Sequence, residues 1–152
     1  MKRLPRRARG MTLVEVLVAL LVLSIGLLGI AALQTTGLRS TQTAGARSQA
    51  VMLSYDIIDR LRANRQAAID GDYDTTTGEA VADLAALPAG TTREDLLEWK
   101  GRLAGALPEG RGAIARDAAD PATVIVTVEW LDRDETRADN AQLLQFQTTT
   151  RL

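Results

Sequence analysis

Residues 11–33 read MTLVEVLVALLVLSIGLLGIAAL, an apolar run broken by one charge, Glu15, and preceded by residues 1–10, MKRLPRRARG. That leader holds five cations, Lys2, Arg3, Arg6, Arg7 and Arg9, and no anion. A helix needs roughly 20 apolar residues to cross the hydrocarbon core of a bilayer, so the run is long enough to span. A short basic flank stays on the cytoplasmic side, which sends everything after Leu33 across. A secretory signal peptide also has a basic start and an apolar segment, and Gly29-Ile30-Ala31 passes as a small-x-small cleavage site. The length of the run and the carboxylate near its start weigh against that reading.

Composition narrows the possibilities further. The chain has 152 residues, and with the first third given to leader and helix the remainder suffices for one modest core. There is no Cys and no His, which excludes disulfides, thiolate nucleophiles, imidazole zinc ligands and histidine bases. The formal charge is −1 and becomes −6 once the five leader cations are removed, so no nucleic-acid footprint is present. The polar residues form no nucleophile and base arrangement, and carboxylate pairs such as Asp132 and Asp134 fall in a charged connection. The sequence therefore reads as non-enzymatic, with no cofactor and no metal.

Past Leu33 the chain is free of Pro until Pro88, so the helix is expected to continue to about Ala68, approaching 85 Å at ~1.5 Å per residue. Ala50, Leu53, Ile57 and Leu61 recur at three- and four-residue steps, with Arg47, Asp56, Arg60 and Arg65 largely outside the stripe. One face of this segment should pack and the other face water. Gly26, Gly29, Gly37 and Gly45 are places for bending, or alternatively for close helix packing.

Residues 70–78, DGDYDTTTG, break the helix. Their alternating Asp70, Asp72 and Asp74 follow a calcium-loop spacing, but Thr75 stands where Gly is needed and Val81 where Glu is needed. Residues 84–88 suggest a helical turn. Thr91-Thr92-Arg93-Glu94 reads as a capping box, followed by Leu96, Trp99, Leu103 and Leu107 on one face and a stop at Pro108. This helix is expected to cover one end of a sheet, with Trp99 as a core anchor. From residue 111 the period becomes two. Residues 111–116 form a weaker strand, Val124, Val126, Val128 and Trp130 alternate with polar neighbours, and Leu144, Phe146, Thr148 and Thr150 repeat the pattern after a charged connection at residues 131–140. A three-stranded antiparallel meander on the stripe 50–61 follows.

The junction R-A-R-G-M-T-L-V-E, with Gly10 before the apolar run and Glu15 five residues after it, resembles the class III signal of type IV prepilins. The resemblance implies a pilin-like α+β ladle, a long helix packed against a small sheet of about three strands. It divides the chain into a cytoplasmic leader at 1–10, a transmembrane helix at 11–33, a continued spine helix at 34–69 and a globular region at 70–152. It also implies that prepilin peptidase cuts between Gly10 and Met11, that Met11 becomes the N-methylated end, and that Glu15 is the carboxylate of assembly and register. The family usually has Phe where this chain has Met11. Gly10 suits the cut physically, because a residue without a side chain lets the backbone approach catalytic groups. An acid at mid-membrane costs about 2.5 to 3.5 kcal/mol on insertion scales and less near an interface. A neighbouring amine offsets that cost, and the penalty for leaving either charge alone can fix the register of packed subunits.

Residues 47–65, above all D-R-L-R-A-N at 59–64, are similar to the minor pilin V group, the PilV-like type IV pilus modification proteins. V-T-V-E-W-L-D, residues 126–132, resembles a late strand of the same group. Without the resemblance, D-R-L-R-A-N is an ordinary helix surface ending at a helix-terminating Asn. The group implies a minor pilin of a type IV pilus, single-pass in the inner membrane with a cytoplasmic N-terminus and a periplasmic C-terminal domain, then moved to the pilus at the cell surface for twitching motility. Its implied partners are the prepilin peptidase, the major pilin, other minor pilins and the inner-membrane assembly platform, with no nucleic acid. A minor pseudopilin of a type II secretion system shares the same signal, helix and sheet. An anchored periplasmic enzyme is the reading from a different class.

Overall fold

In the computed structural model, the described residues are 11–79, 81–132 and 142–152. Four helices precede three strands: α1 (Leu13–Ala63), α2 (Arg65–Asp70), α3 (Val81–Leu84), α4 (Thr91–Ala106), β1 (Arg111–Arg116), β2 (Thr123–Asp132) and β3 (Gln142–Arg151). The chain divides into two compact units between Thr41 and Gln42. The α+β class expected from the sequence is the one observed: a long apolar N-terminal helix, and a three-stranded antiparallel sheet that packs on the later part of that helix.

In the first unit, α1 is apolar all round. Every large apolar side chain from Leu13 to Leu38 is exposed. Among the described residues α1 is the one helix long and apolar enough to cross a membrane, and none of its most apolar stretch is buried in the chain. Ser24, Thr35, Thr36 and Thr41 satisfy their hydroxyls on carbonyls three or four residues back, which removes polar groups from the helix surface.

In the second unit, the stripe predicted by periodicity is buried. Ala50, Leu53, Ile57 and Leu61 join Ile58 in one core with Val124, Val126, Val128 and Trp130 of β2, Ile114 of β1, and Leu96, Trp99 and Leu103 of α4. The sheet is a meander of order β1-β2-β3, with Arg111 opposite Glu129 in the first pair and Thr123 opposite Arg151 in the second. Trp99 is the anchor it was expected to be. It is fully buried and donates its indole N–H to the Leu53 carbonyl at 3.0 Å, so one side chain ties α4 to α1. Gly112 makes this packing possible, since a Cβ there would run into the Trp99 ring and Leu103.

Four expectations are corrected in detail. The spine helix does not run unbroken to Ala68: α1 ends at Ala63, Asn64 leaves helical geometry at φ −116° and ψ 50°, and α2 closes on Gly71 at φ 97°, a left-handed position that suits glycine. The Thr91 capping box does not form, because α4 begins one residue earlier than the box requires. Gly90 is its N-cap, without a side-chain cap, and the Glu94 N–H donates to the Gly90 carbonyl at 3.1 Å. The helical turn expected at 84–88 is α3 at Val81–Leu84, with turns after it that bond Leu87 N–H to Leu84. Leu131 and Asp132, assigned to the charged connection, continue β2, and the rest of that connection, residues 133–140, lies outside the described residues.

Candidate functional site

The amino-terminal end of α1 is the first candidate. Thr12 precedes the helix, and its Oγ1 accepts the Glu15 N–H at 3.3 Å while its carbonyl accepts the Val16 N–H at 3.3 Å. Thr12 is thus an N-cap, and Glu15 sits in the first turn, where a carboxylate faces the positive end of the helix dipole. Met11, non-helical and 72% exposed, directly precedes the cap. The start of the apolar helix therefore places a non-helical Met11, a capping Thr12 and one carboxylate, Glu15, within five residues. Gly10, the expected cleavage position, lies outside the described residues. Thr12 followed by Glu15 three residues later is a capping-box spacing, so this cap is legible in the sequence.

The second candidate is the junction built by D-R-L-R-A-N. Arg60 pairs with Asp56 at 3.3 Å, Asp95 at 3.1 Å and Glu98 at 2.8 Å, bridging α1 to α4. Its hydrogen bond holds the Glu98 carboxyl below the usual range, and Glu98 in turn pushes the guanidinium up. Asn64 Nδ2 donates to Tyr73 Oη at 3.1 Å and to Thr92 Oγ1 at 3.4 Å, and the Tyr73 hydroxyl donates to Asp95 at 2.6 Å. Burial first, then this bond to Asp95, raises the Tyr73 hydroxyl above its ordinary value. Arg62 reaches the other way, to Asp59 at 3.1 Å and to Thr150 of β3 at 3.0 Å. Within D-R-L-R-A-N, Arg60, Arg62 and Asn64 consequently form a clamp that joins α1 to the following loop, α4 and the sheet, while Asp59 and Ala63 stay exposed. Periodicity had no means of finding Tyr73 and Asp95, because their partners lie far away in sequence and on other elements.

The acidic loop after α2 is likewise internal wiring. Asp74 accepts from Arg116 Nε at 2.9 Å, and Arg116 Nη1 also donates to the Ile69 carbonyl at 2.7 Å. Lys100 lies buried beneath the loop and donates to the carbonyls of Thr76 at 2.8 Å and Glu79 at 2.9 Å. Desolvation lowers its affinity for a proton, with Glu79 opposing. Among the described residues no His, Cys, Asp and Glu group has the geometry to hold a metal ion.

Two matches with known families bear on this arrangement. Residues 5–31 match the prokaryotic N-terminal methylation motif, and residues 32–89 match the Tt1218-like family, described as type IV pilin Tt1218. No curated protein and no solved structure matches the chain. The two segments abut inside α1, and with the α+β fold they support a type IV pilin bearing a class III prepilin signal. That family is structural rather than enzymatic, and the signal implies processing by prepilin peptidase and assembly with other pilins. The exposed apolar half of α1 fits a membrane-anchored pilin.

Proposed function

We propose that the chain is a minor pilin of a type IV pilus, a structural subunit cut between Gly10 and Met11, methylated at Met11, held in the inner membrane with its second unit in the periplasm, and then drawn into a filament or its initiating complex. The observation that carries this reading is the apolar half of α1, exposed all round and led by the capped turn that contains Glu15. Exposed apolar surface on that scale needs an apolar partner, first lipid and then the helices of other subunits. The lone carboxylate at its start gives those helices one favourable axial offset, since it is costly anywhere but beside a cation. The prepilin peptidase, the major pilin, other minor pilins and the assembly platform are the partners this path requires.

Deletion of the chain should abolish surface pili and twitching while leaving secretion intact, and Glu15→Gln should restore membrane-resident protein but not pili. Loss of secretion with pili intact would assign the chain to a type II pseudopilus. Normal piliation with Glu15→Gln would end the role given to the carboxylate.

A further inference from the structure

Among the described residues, strand β3 is an open edge of the sheet. On the other side of the sheet, β1 is already met by Thr75, whose N–H donates to the Ile114 carbonyl at 2.9 Å and whose carbonyl accepts the Ile114 N–H at 3.0 Å. The bond from Leu152 N–H to Ala122 carbonyl, in the same register as β2 and β3, sets the alternation of the ladder. Even-numbered residues of β3 turn their main-chain groups toward β2, while Leu143, Gln145, Gln147 and Thr149 turn theirs outward. Among the described residues those outward groups have no main-chain partner. The usual protections of an edge are missing as well: β3 runs for ten residues without Pro, Lys, acid or Gly, and its one charge, Arg151, stands at the end.

The flank of this edge is underfilled. The inward side chains of β2 are buried, whereas Leu144, Phe146, Thr148 and Thr150 on the same face of β3 are only half-buried. Thr43 donates at 3.5 Å to Asp132 of β2, which pairs with Gln142 at the start of β3, and Arg62 donates to Thr150 near its end, so the second-unit part of α1 runs in the same direction as β3. Tyr55, two helical turns before Arg62, returns to nearly the same side of α1, about 10 Å back along its axis. Tyr55 is 55% exposed and its neighbour Met52 is 64% exposed.

We propose that this strip, between the edge of β3 and the Tyr55 side of α1, receives an extended strand from a different subunit anchored in the same membrane, which adds a fourth strand and lays apolar side chains on Tyr55 and Phe146. The proposal rests on the pilin reading above. An unpaired row of N–H and C=O groups along a strand is a ready template for another strand. A second copy of this chain does not fit. Pairing β3 with β3 in antiparallel fashion opposes the second-unit parts of the two α1 helices, whereas subunits that repeat along one filament all run the same way. Parallel pairing turns the partner's Leu143, Gln145, Gln147 and Thr149 face toward Tyr55, and three of those four side chains are polar. The size of the contact also selects a tethered partner. A ten-residue strand is about 33 Å long, and a strip about 10 Å wide covers on the order of 300 Å², well under the roughly 800 Å² per partner of a stable free complex. Shared anchorage supplies the effective concentration that this area lacks.

The test uses the full chain in cells that make their own pilins, with a photo-crosslinking phenylalanine analogue placed at Gln147 or, as control, at Ala118 in the turn between β1 and β2. The expected product joins Gln147 to an extended segment of another anchored pilin-type chain, at a yield about tenfold above Ala118. Gln147→Pro removes an outward N–H without touching the ladder to β2. It should cut incorporation about tenfold, the loss of one or two main-chain hydrogen bonds. Tyr55→Glu, on the helical wall and exposed, should lower incorporation without any change to the strand. Assembly of the parent with no product from Gln147, a product that is a second copy of this chain, or parent-like incorporation of both variants would overturn the added strand alone. A parent that is neither processed nor incorporated would overturn both this proposal and the pilin reading.

Discussion

The two halves of α1 are made of similar residues and do opposite things with them. From Leu13 to Leu38 each large apolar side chain faces outward, while from Ala50 to Leu61 the stripe Ala50, Leu53, Ile57, Ile58 and Leu61 is buried in the core and Met52 and Tyr55 stay exposed. The first half is apolar on all sides and the second on one. An all-round apolar helix finds its solvent in a bilayer or among other helices, and an amphipathic one finds it in its own chain. The contrast separates the surface that serves association from the surface that serves folding.

The sharpest way to break that comparison is to remove an anchor from the second half. Trp99→Ala empties the centre of the core and leaves the Leu53 carbonyl without its donor, so unfolding of the full chain in detergent should be destabilised by about 3–5 kcal/mol. A smaller loss is expected at the clamp. Asp95→Ala takes the acceptor from both Tyr73 and Arg60 and should cost about 1–3 kcal/mol in the same measurement. A still smaller effect is expected from pH. The folded state holds the Tyr73 proton more tightly than the unfolded chain does, so its contribution is complete below the ordinary tyrosine value near 10 and is lost as pH rises through the higher folded value. Denaturant midpoints that fall above about pH 10 in the parent, and fall less in Tyr73→Phe, would establish the link. The least effect of all belongs to the first half. Leu21→Ala, on exposed apolar surface, should leave unfolding of the second unit within about 0.5 kcal/mol of the parent, and a larger change would erase the division between the halves.

Much of this architecture was legible because it repeats. The stripe Ala50, Leu53, Ile57 and Leu61 and the alternation of Val124, Val126, Val128 and Trp130 are periodic, and both are buried as periodicity requires. β1 also matches its expected bounds, residues 111–116. What was misread depends on single residues and their distant partners. Asn64 ends α1 because its side chain finds Tyr73 and Thr92, and Gly90 replaces Thr91 as the cap because the backbone there is already extended. At the candidate site, Glu15 stood out as the one charge in an apolar run, whereas the hydrogen bond that Thr12 makes to its N–H was hidden in plain spacing.

The order of residues alone determined that the first part of the chain seeks an apolar environment, that one carboxylate sits at its start, and that a helix stripe and a meander would share a core. These follow from composition and period, which act within a few residues. Only the folded structure decided that D-R-L-R-A-N is a clamp, that Lys100 closes the acidic loop, and that β3 is an open edge among the described residues. Each of those depends on which groups from distant parts of the chain come within hydrogen-bonding distance, and that is set by packing the whole rather than by any local pattern.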